Sequence, residues 1–495
     1  MSGTADDENT LPIKAGSSHR RAMMIVGAVA LAPRLAWVLH AAREPRGLHD
    51  PLVYLSAARS ISEGDGYRSL TGTVTAYFPP GYPFFLGGVH RITTAVGLGD
   101  HFFVVVGVLQ SLLGVFGAVA VASIASRLTV LTRRTEAPVV SESSRVEPVV
   151  LAAGLIVALW PNLIFQTAVL LSETLFIALF LATVWLLISA LEASSIQKAS
   201  PIRVATLLAT AGLLFGLSVL TRPQSALVLI PAVLVVGLLA RLRLRHSLTA
   251  VAVLLAGFCV VSVGWGVRNQ MQMGHFVIGS TNTGDNLCIG FNPDSTGRFS
   301  FAPACQHPEA YTDGPDSEVR RDRELRDDAI AWALENPSHL PGLSLTKIGL
   351  TFFSGDLDGL AASEDYGSDP FFSARTRTVL EWSANIYYFA VMGLSLAGLT
   401  MIWARRRAVL EVGDGRAGVD AGSDVDRSKV AVAVASLCVL VVTFGALVPA
   451  LSFGDQRFKV PLMPFVAVIA GFGLAAGWQQ MTRAVRAPRR MNKSS

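Results

Sequence analysis

The stretch RRAMMIVGAVALAPRLAWVLH, residues 20–40, decides the class of this chain. From Met23 to Leu39 it is an apolar run close to the length of one bilayer crossing, roughly 20 residues. Arg20 and Arg21 stand just before it, which places the amino terminus in the cytoplasm. A secretory signal would continue into a small-residue cleavage site, whereas here the chain runs Leu39-His40-Ala41-Ala42-Arg43-Glu44. The segment reads as an uncleaved first span.

The rest of the chain repeats the pattern. Of its 495 residues 51% are hydrophobic and only 16% charged, against about 25% charged in a soluble domain. The expected fold is an all-α polytopic membrane protein with about ten transmembrane helices: 23–40, 102–126, 149–168, 171–191, 204–221, 225–240, 247–266, 384–403, 430–451 and 459–478. Alternation from the first span puts Arg133-Arg134, Lys198 with Arg203, the run Arg241 to His246, Arg405-Arg406-Arg407 and the Arg-rich tail on the cytoplasmic side. The net charge of +5 is thus a topology signal, and no nucleic-acid partner is expected.

The block Pro83 to Val96 would be an eleventh span, but it is short, is interrupted by His90-Arg91 and would put the Arg241 run outside. It reads as a helix lying in the outer interface, so the first outer loop carries membrane-lying structure. The expected divisions are a disordered cytoplasmic amino terminus (1–21) and a seven-span catalytic core with outer loop 41–100 (22–266). A large outer loop (267–380), three carboxy-terminal spans (381–480) and a basic cytoplasmic tail (481–495) follow. Within the large loop a helix is expected from Asp316 to Leu334, capped by Asp316 or Ser317 and stopped at Asn336-Pro337. Residues 412–428, rich in Gly, Asp and Val, read as a flexible linker. Cys259 and Cys438 fall in spans as packing residues; Cys288 and Cys305 share the outer loop, and the sequence leaves open whether they pair.

Ionisable groups are costly at membrane depth, so those at span ends are candidates for chemistry. Asp50, in Leu48-His49-Asp50-Pro51, could take a proton from an acceptor hydroxyl or hold a divalent cation against a phosphate; it could equally cap a helix that has proline at its first position. Tyr77-Phe78-Pro79-Pro80-Gly81-Tyr82-Pro83 fixes a rigid entry into an apolar helix, with aromatics suited to the interface. Trp265-Gly266-Val267-Arg268-Asn269 ends span seven with an arginine able to grip two phosphate oxygens, or merely to snorkel. Gly279 to Asn286, with Gly290-Phe291-Asn292-Pro293, could line a sugar site or serve only as loop. Glu173, Arg222-Pro223 and Asp455-Gln456-Arg457 complete the outer-rim charges. No phosphate loop, internal repeat or His/Cys metal cluster is found.

In this order along most of the chain, these segments resemble the GT-C superfamily of membrane glycosyltransferases. The branch is the one holding dolichyl-phosphate-mannose protein mannosyltransferases and bacterial aminoarabinose lipid A transferases. The matching pieces are Asp50 with Tyr54, Ala57 and Ala58; Pro79 to Pro83; Leu171 to Phe176; and Gly216 to Pro223. Trp265 with Arg268-Asn269, Gly284 with Asn286, Gly290 with Asn292-Pro293, Glu335-Asn336-Pro337 with Lys347, and Arg457 to Pro464 continue the series.

The resemblance implies inverting transfer from a polyprenyl-phosphate sugar donor, held in membrane lipid, to a cell-envelope acceptor on the extracytoplasmic face. It implies Asp50 as the catalytic acid, Arg268, Arg222 and Arg457 at the donor phosphate, and Tyr54, Tyr82, Glu173, Asn282 and Asn292 near substrate. The resemblance assigns no cofactor; a divalent cation at Asp50 is the one candidate, with a single acid to hold it. Two departures stand out: Pro51 replaces the second acid of the Asp-Glu pair that many relatives carry, and the outer loop is too short for the insert of protein mannosyltransferases. The rival class is a transporter or lipid-linked-sugar flippase, which would place charges or broken helices mid-span.

Overall fold

The computed structural model describes residues 15–132, 148–240, 242, 244–300, 302–306, 314–365, 371–415 and 421–486. Among these residues there is no strand, only two isolated bridges, Arg68 to Val74 and Arg298 to Gly454. The helices are α1 (Ala15–Ala41), α2 (Asp50–Glu63), α3 (Gly81–Ala95), α4 (Phe102–Ser126), α5 (Thr129–Thr132), α6 (Pro148–Ala158) and α7 (Pro161–Phe165). Next come α8 (Glu173–Ser195), α9 (Pro201–Thr221), α10 (Gln224–Leu239), α11 (Leu244–Met273), α12 (Thr283–Gly290), α13 (Pro315–Glu335), α14 (Leu340–Phe353) and α15 (Asp358–Asp365). The chain closes with α16 (Ala374–Gly415), α17 (Ala421–Leu447) and α18 (Met463–Arg486).

Among the described residues eight helices are long and apolar enough to cross a membrane, and each overlaps an expected span. The other two expected spans are less regular. Gln224–Leu239 is a shorter apolar helix, and residues 149–168 fold as α6 and a second segment bent by 55°. Pro161 explains the break, because it lacks the N–H that would continue the helix. The freed carbonyls must be satisfied inside the bundle, and Arg34 of α1 does so. Its guanidinium, 1% exposed, donates to Ala158 O at 2.7 Å and Val157 O at 3.1 Å. A cation at a helix C-terminus is also favoured by the helix dipole.

Where helices have no water to exclude, small residues let backbones approach. Gly212 and Gly216 of α9 face α11 this closely: a Cβ on Gly212 would come within 2.5 Å of Val253 O. Gly81 serves the site in the same way. A Cβ there would meet Thr221 Oγ1 at 2.5 Å and Leu220 O at 3.0 Å, so only glycine lets α3 dock on the end of α9 beside Arg222.

Several expectations are corrected. Helix α1 begins at Ala15, inside the stretch read as disordered, while residues 1–14 lie outside the described residues. Residues 412–415 and 421–428 of the expected linker are helical ends of α16 and α17; an apolar helix propagates outward through a few polar residues at little cost. Residues 416–420, Arg133-Arg134, Arg241, Arg243 and the tail beyond Arg486 lie outside the described residues. Helix α13 is capped by Gly314, not by Asp316 or Ser317. Asp316 instead bonds His275 Nε2 at 2.7 Å and the Ser317 hydroxyl donates to Gly314 O at 2.7 Å. Cys288 and Cys305 do form a disulfide. Cys438 is buried, and Cys259 is exposed on its helix.

Candidate functional site

Helix α2 starts at Asp50 itself. The cap position belongs to His49, whose backbone is extended (φ −134°, ψ 168°), and no side chain caps the helix. The reading of Asp50 as the N-cap is therefore corrected. A guanidinium is a stronger partner for a carboxylate than a backbone amide, and Asp50 Oδ2 accepts from Arg457 Nη1 at 2.8 Å.

Arg457 sits in a short turn, Gln456–Phe458, that leads into α18; Asp455 caps this turn by accepting from the Arg457 N–H at 2.8 Å. On its other side Arg457 Nε donates to Glu173 Oε1 at 2.9 Å. Glu173 opens α8, where negative charge suits the helix N-terminus, and it is wholly buried. Arg222, at the end of α9, donates from Nη2 to Glu173 Oε1 at 2.5 Å and from Nε to Ser172 Oγ at 3.0 Å. Asp50, Arg457, Glu173 and Arg222 thus form one alternating chain of charge drawn from four distant segments. A buried carboxylate is tolerable only with such partners. Even so, among the described residues Glu173 Oε2 has no hydrogen-bond partner.

Tyr54 lies one turn after Asp50, 5% exposed, with its ring edge-on to Phe78 at 5.2 Å and Tyr82 at 5.3 Å. Burial, and then the Asp50 charge, raise its phenol above the ordinary range. Tyr82 is fully buried and donates to Gln110 Oε1 at 3.0 Å, while Gln110 Nε2 ties Thr167 O and Val169 O of the broken span. Tyr54 lines the charged chain; Tyr82 braces it from behind.

Arg268, Asn282 and Asn292 are not bonded to this cluster. Arg268 Nη1 donates to Thr75 O and to Asn269 Oδ1, each at 2.8 Å, and Nη2 donates to Tyr67 O at 2.6 Å. Its guanidinium lies 4.8 Å from the centre of the Trp265 ring. These contacts stitch residues 67–75 to the end of α11. Asn282 accepts from Ser280 Oγ at 2.8 Å. Asn292 is buried and donates to Cys288 O at 2.8 Å, beside the disulfide.

Sequence reasoning missed a second polar layer. Asp356 accepts from Trp160 Nε1 at 2.8 Å and Asn162 Nδ2 at 2.9 Å, and faces Lys459 Nζ at 3.6 Å. Asp358 accepts from Gln166 Nε2 at 2.6 Å. Burial pushes its carboxyl up to about 7; Arg457 opposes the rise, while Glu173 and Asp455 add to it. The available signal was two acids spaced by one leucine in an otherwise uncharged run, Phe352 to Leu360.

Among the described residues no group of three or more His, Cys, Asp or Glu side chains is arranged to hold a metal. Asp50 and Glu173 are each already paired with arginine, which is not the oxygen-rich donor set that Mg²⁺ or Ca²⁺ takes. The residues present do not fit a divalent cation, and no chemical step is derived through one.

No protein-family model matches the sequence, and no curated protein sequence matches it. Solved structures do. The oligosaccharyltransferase of Archaeoglobus fulgidus in the apo form superposes with a TM-score of 0.51 at 11% identity, covering 94% of this chain and 52% of that one. The same enzyme tethered to an acceptor peptide with an NVT sequon gives 0.50 at 12% identity, covering 94% of this chain and 50% of that one. ArnT from Cupriavidus metallidurans, bound to undecaprenyl phosphate, gives only 0.36 at 17% identity, covering 95% of this chain and 80% of that one, too loose a superposition to argue from. The chain spans about half the length of the oligosaccharyltransferase it matches. What the likeness shows is the fold alone: an all-α polytopic membrane protein whose helices are arranged like those of that oligosaccharyltransferase.

Proposed function

We propose that this chain is a membrane glycosyltransferase that moves a sugar from a polyprenyl-phosphate donor to a cell-envelope acceptor at the extracytoplasmic face. The observation that carries the reading is the chain Asp50, Arg457, Glu173, Arg222, assembled where α2, α8 and α9 meet the turn before α18.

In the reaction the acceptor hydroxyl attacks the anomeric carbon as the bond from that carbon to the phosphate oxygen breaks. The electron pair leaves with the polyprenyl phosphate, and the hydroxyl proton passes to Asp50. Arg457 and Arg222 stand ready for the charge that grows on the phosphate. Asp50 is partly exposed, with 30% of its side chain accessible, whereas Glu173 is sealed; this favours Asp50 as the proton acceptor and Glu173 as the group that holds two arginines side by side. Donor phosphate reaching Arg457 would compete with Asp50 for the same nitrogen and release the carboxylate for its task.

One observation favours the rival reading. The broken span between α6 and α7, with Arg34 beside it, is what a transporter or flippase would show. Against that, Arg34 spends its donors on backbone carbonyls at the break, one of them Ala30 O of its own helix at 2.9 Å. It staples the break and does not line a path. Profiling lipid-linked sugars and envelope glycans after deletion of the gene separates the readings. A transferase leaves charged donor accumulating and one glycan missing; a flippase leaves donor trapped on the cytoplasmic leaflet with glycosylation lost downstream.

The sidedness has its own test. Asp316, whose side chain is 88% exposed, lies in the segment proposed to be outside. With Asp316→Cys, a membrane-impermeant maleimide should label intact cells. Labelling only after lysis would invert the topology and remove the extracytoplasmic site.

A further inference from the structure

Lys347 is a buried cation that nothing in the site described so far uses. It lies midway along α14 and is 0% exposed, yet among the described residues its Nζ makes no hydrogen bond. The face of the Phe291 ring lies against it, 3.6 Å from Nζ to the ring centre. A π-face offsets only part of the cost of taking an ammonium out of water. Burial alone lowers this amine to about 8, which leaves it largely charged at neutral pH.

Two glycines pack closely on this residue. Gly297 and Gly454 bond each other through Gly454 N–H to Gly297 O at 2.7 Å, and both press on Lys347. A Cβ on Gly297 would lie 3.5 Å from Lys347 Cγ, and one on Gly454 would come 2.5 Å from Lys347 O. Gly297 also has φ +84°, a left-handed conformation that glycine adopts freely. One turn further along α14, Thr351 Oγ1 accepts from the Asp455 N–H at 3.2 Å, and Asp455 caps the turn that carries Arg457. Lys347 therefore stands beside the same short segment that presents Arg457, reached from the α12 and α14 side.

We propose that Lys347 is an oxyanion-binding residue, satisfied by an anionic oxygen of a substrate that enters between Phe291 and the segment Gly454 to Arg457. The anionic oxygen belongs either to the phosphate of a polyprenyl donor or to an acidic group on the acceptor. The inference rests on the glycosyl-transfer reading only for the identity of these two sources. Three ammonium donors without an acceptor are costly in the empty protein, and a charged oxygen restores them.

The full-length protein in detergent is titrated with undecaprenyl phosphate and, separately, with uncharged undecaprenol, without any turnover. Lys347→Met removes the charge at nearly constant volume. In the empty protein it should melt no lower than wild type, since it removes an unpaired buried cation. Its affinity for undecaprenyl phosphate should fall about tenfold or more, a loss of one charge-assisted hydrogen bond, while undecaprenol binding stays put. Lys347→Arg should keep most of the phosphate affinity. If undecaprenyl phosphate binding is unchanged but the KM for acceptor rises in Lys347→Met and recovers in Lys347→Arg, the oxyanion is on the acceptor and the proposal stands. If Lys347→Met does not fold, Lys347→Gln carries the same test. A variant lacking the charge that matches wild type in both constants shows that Lys347 only fills space, and the proposal falls. Binding is read directly, so a protein that binds undecaprenyl phosphate through Lys347 but transfers no sugar refutes the transferase reading and leaves this inference in place.

Discussion

Asp50→Asn should abolish sugar transfer while the variant inserts and melts as wild type does. Asparagine keeps the shape of the side chain, and its carbonyl oxygen can still accept from Arg457 Nη1 as Asp50 Oδ2 does at 2.8 Å. What it loses is the negative charge and the ability to take a proton. General base catalysis contributes about 10²- to 10⁴-fold, so turnover should fall at least into that range. A loss of stability is not expected from capping, which would cost about 1 kcal/mol, because no side chain caps α2. The measurement is turnover of a defined polyprenyl-phosphate sugar by the purified variant, with a melting curve alongside. Near-normal turnover would return Asp50 to a purely structural role as partner of Arg457.

Much of this architecture could be read from the residues. The eight long helices fall where apolar runs of bilayer length predicted them, because in lipid a helix must satisfy its own backbone and hydropathy leaves few alternatives. Asp50, Glu173, Arg222 and Arg457 were each visible as rim charges, since a charge at that depth needs a reason. Their mutual pairing was not visible, because Asp50 and Arg457 are 407 residues apart and no local pattern encodes that contact. The cap reading of Asp50 failed by one residue: His-Asp-Pro fits a helix start at either of its first two positions, and the choice was made by a distant arginine. Arg34 escaped notice because its task, receiving the carbonyls at Ala158, exists only once the span folds and breaks. The polar layer of Asp356 and Lys459 was hidden for the same reason, each group being tolerable only opposite the other.

Arg457→Ala should cost more activity than any other single arginine, and Arg268 provides the control. Both are span-end arginines of the same chemical type, and the resemblance implies both at the donor phosphate, Arg268 first. The structure separates them by what their nitrogens touch. Arg457 bonds two carboxylates, Asp50 at 2.8 Å and Glu173 at 2.9 Å, and is therefore the group whose removal leaves charge unbalanced at the site. Arg268 bonds backbone carbonyls of Thr75 and Tyr67 and holds the loop after α2 to α11. Losing a preorganised donor aimed at a leaving group costs about 10²- to 10³-fold in kcat, and Arg457→Ala also leaves Glu173 with Arg222 alone. Arg457→Lys keeps the charge but cannot reach both acids from separate nitrogens, so it should retain intermediate activity. Arg268→Ala should instead lower the melting temperature, and whatever folds should keep the wild-type KM for donor. The decisive comparison is kcat and donor KM for the three variants with one polyprenyl-phosphate sugar. If Arg268→Ala loses donor affinity while Arg457→Ala keeps both constants, the leaving phosphate sits at the end of α11, and the pair Asp50–Arg457 is a structural tie between the first and last thirds of the chain.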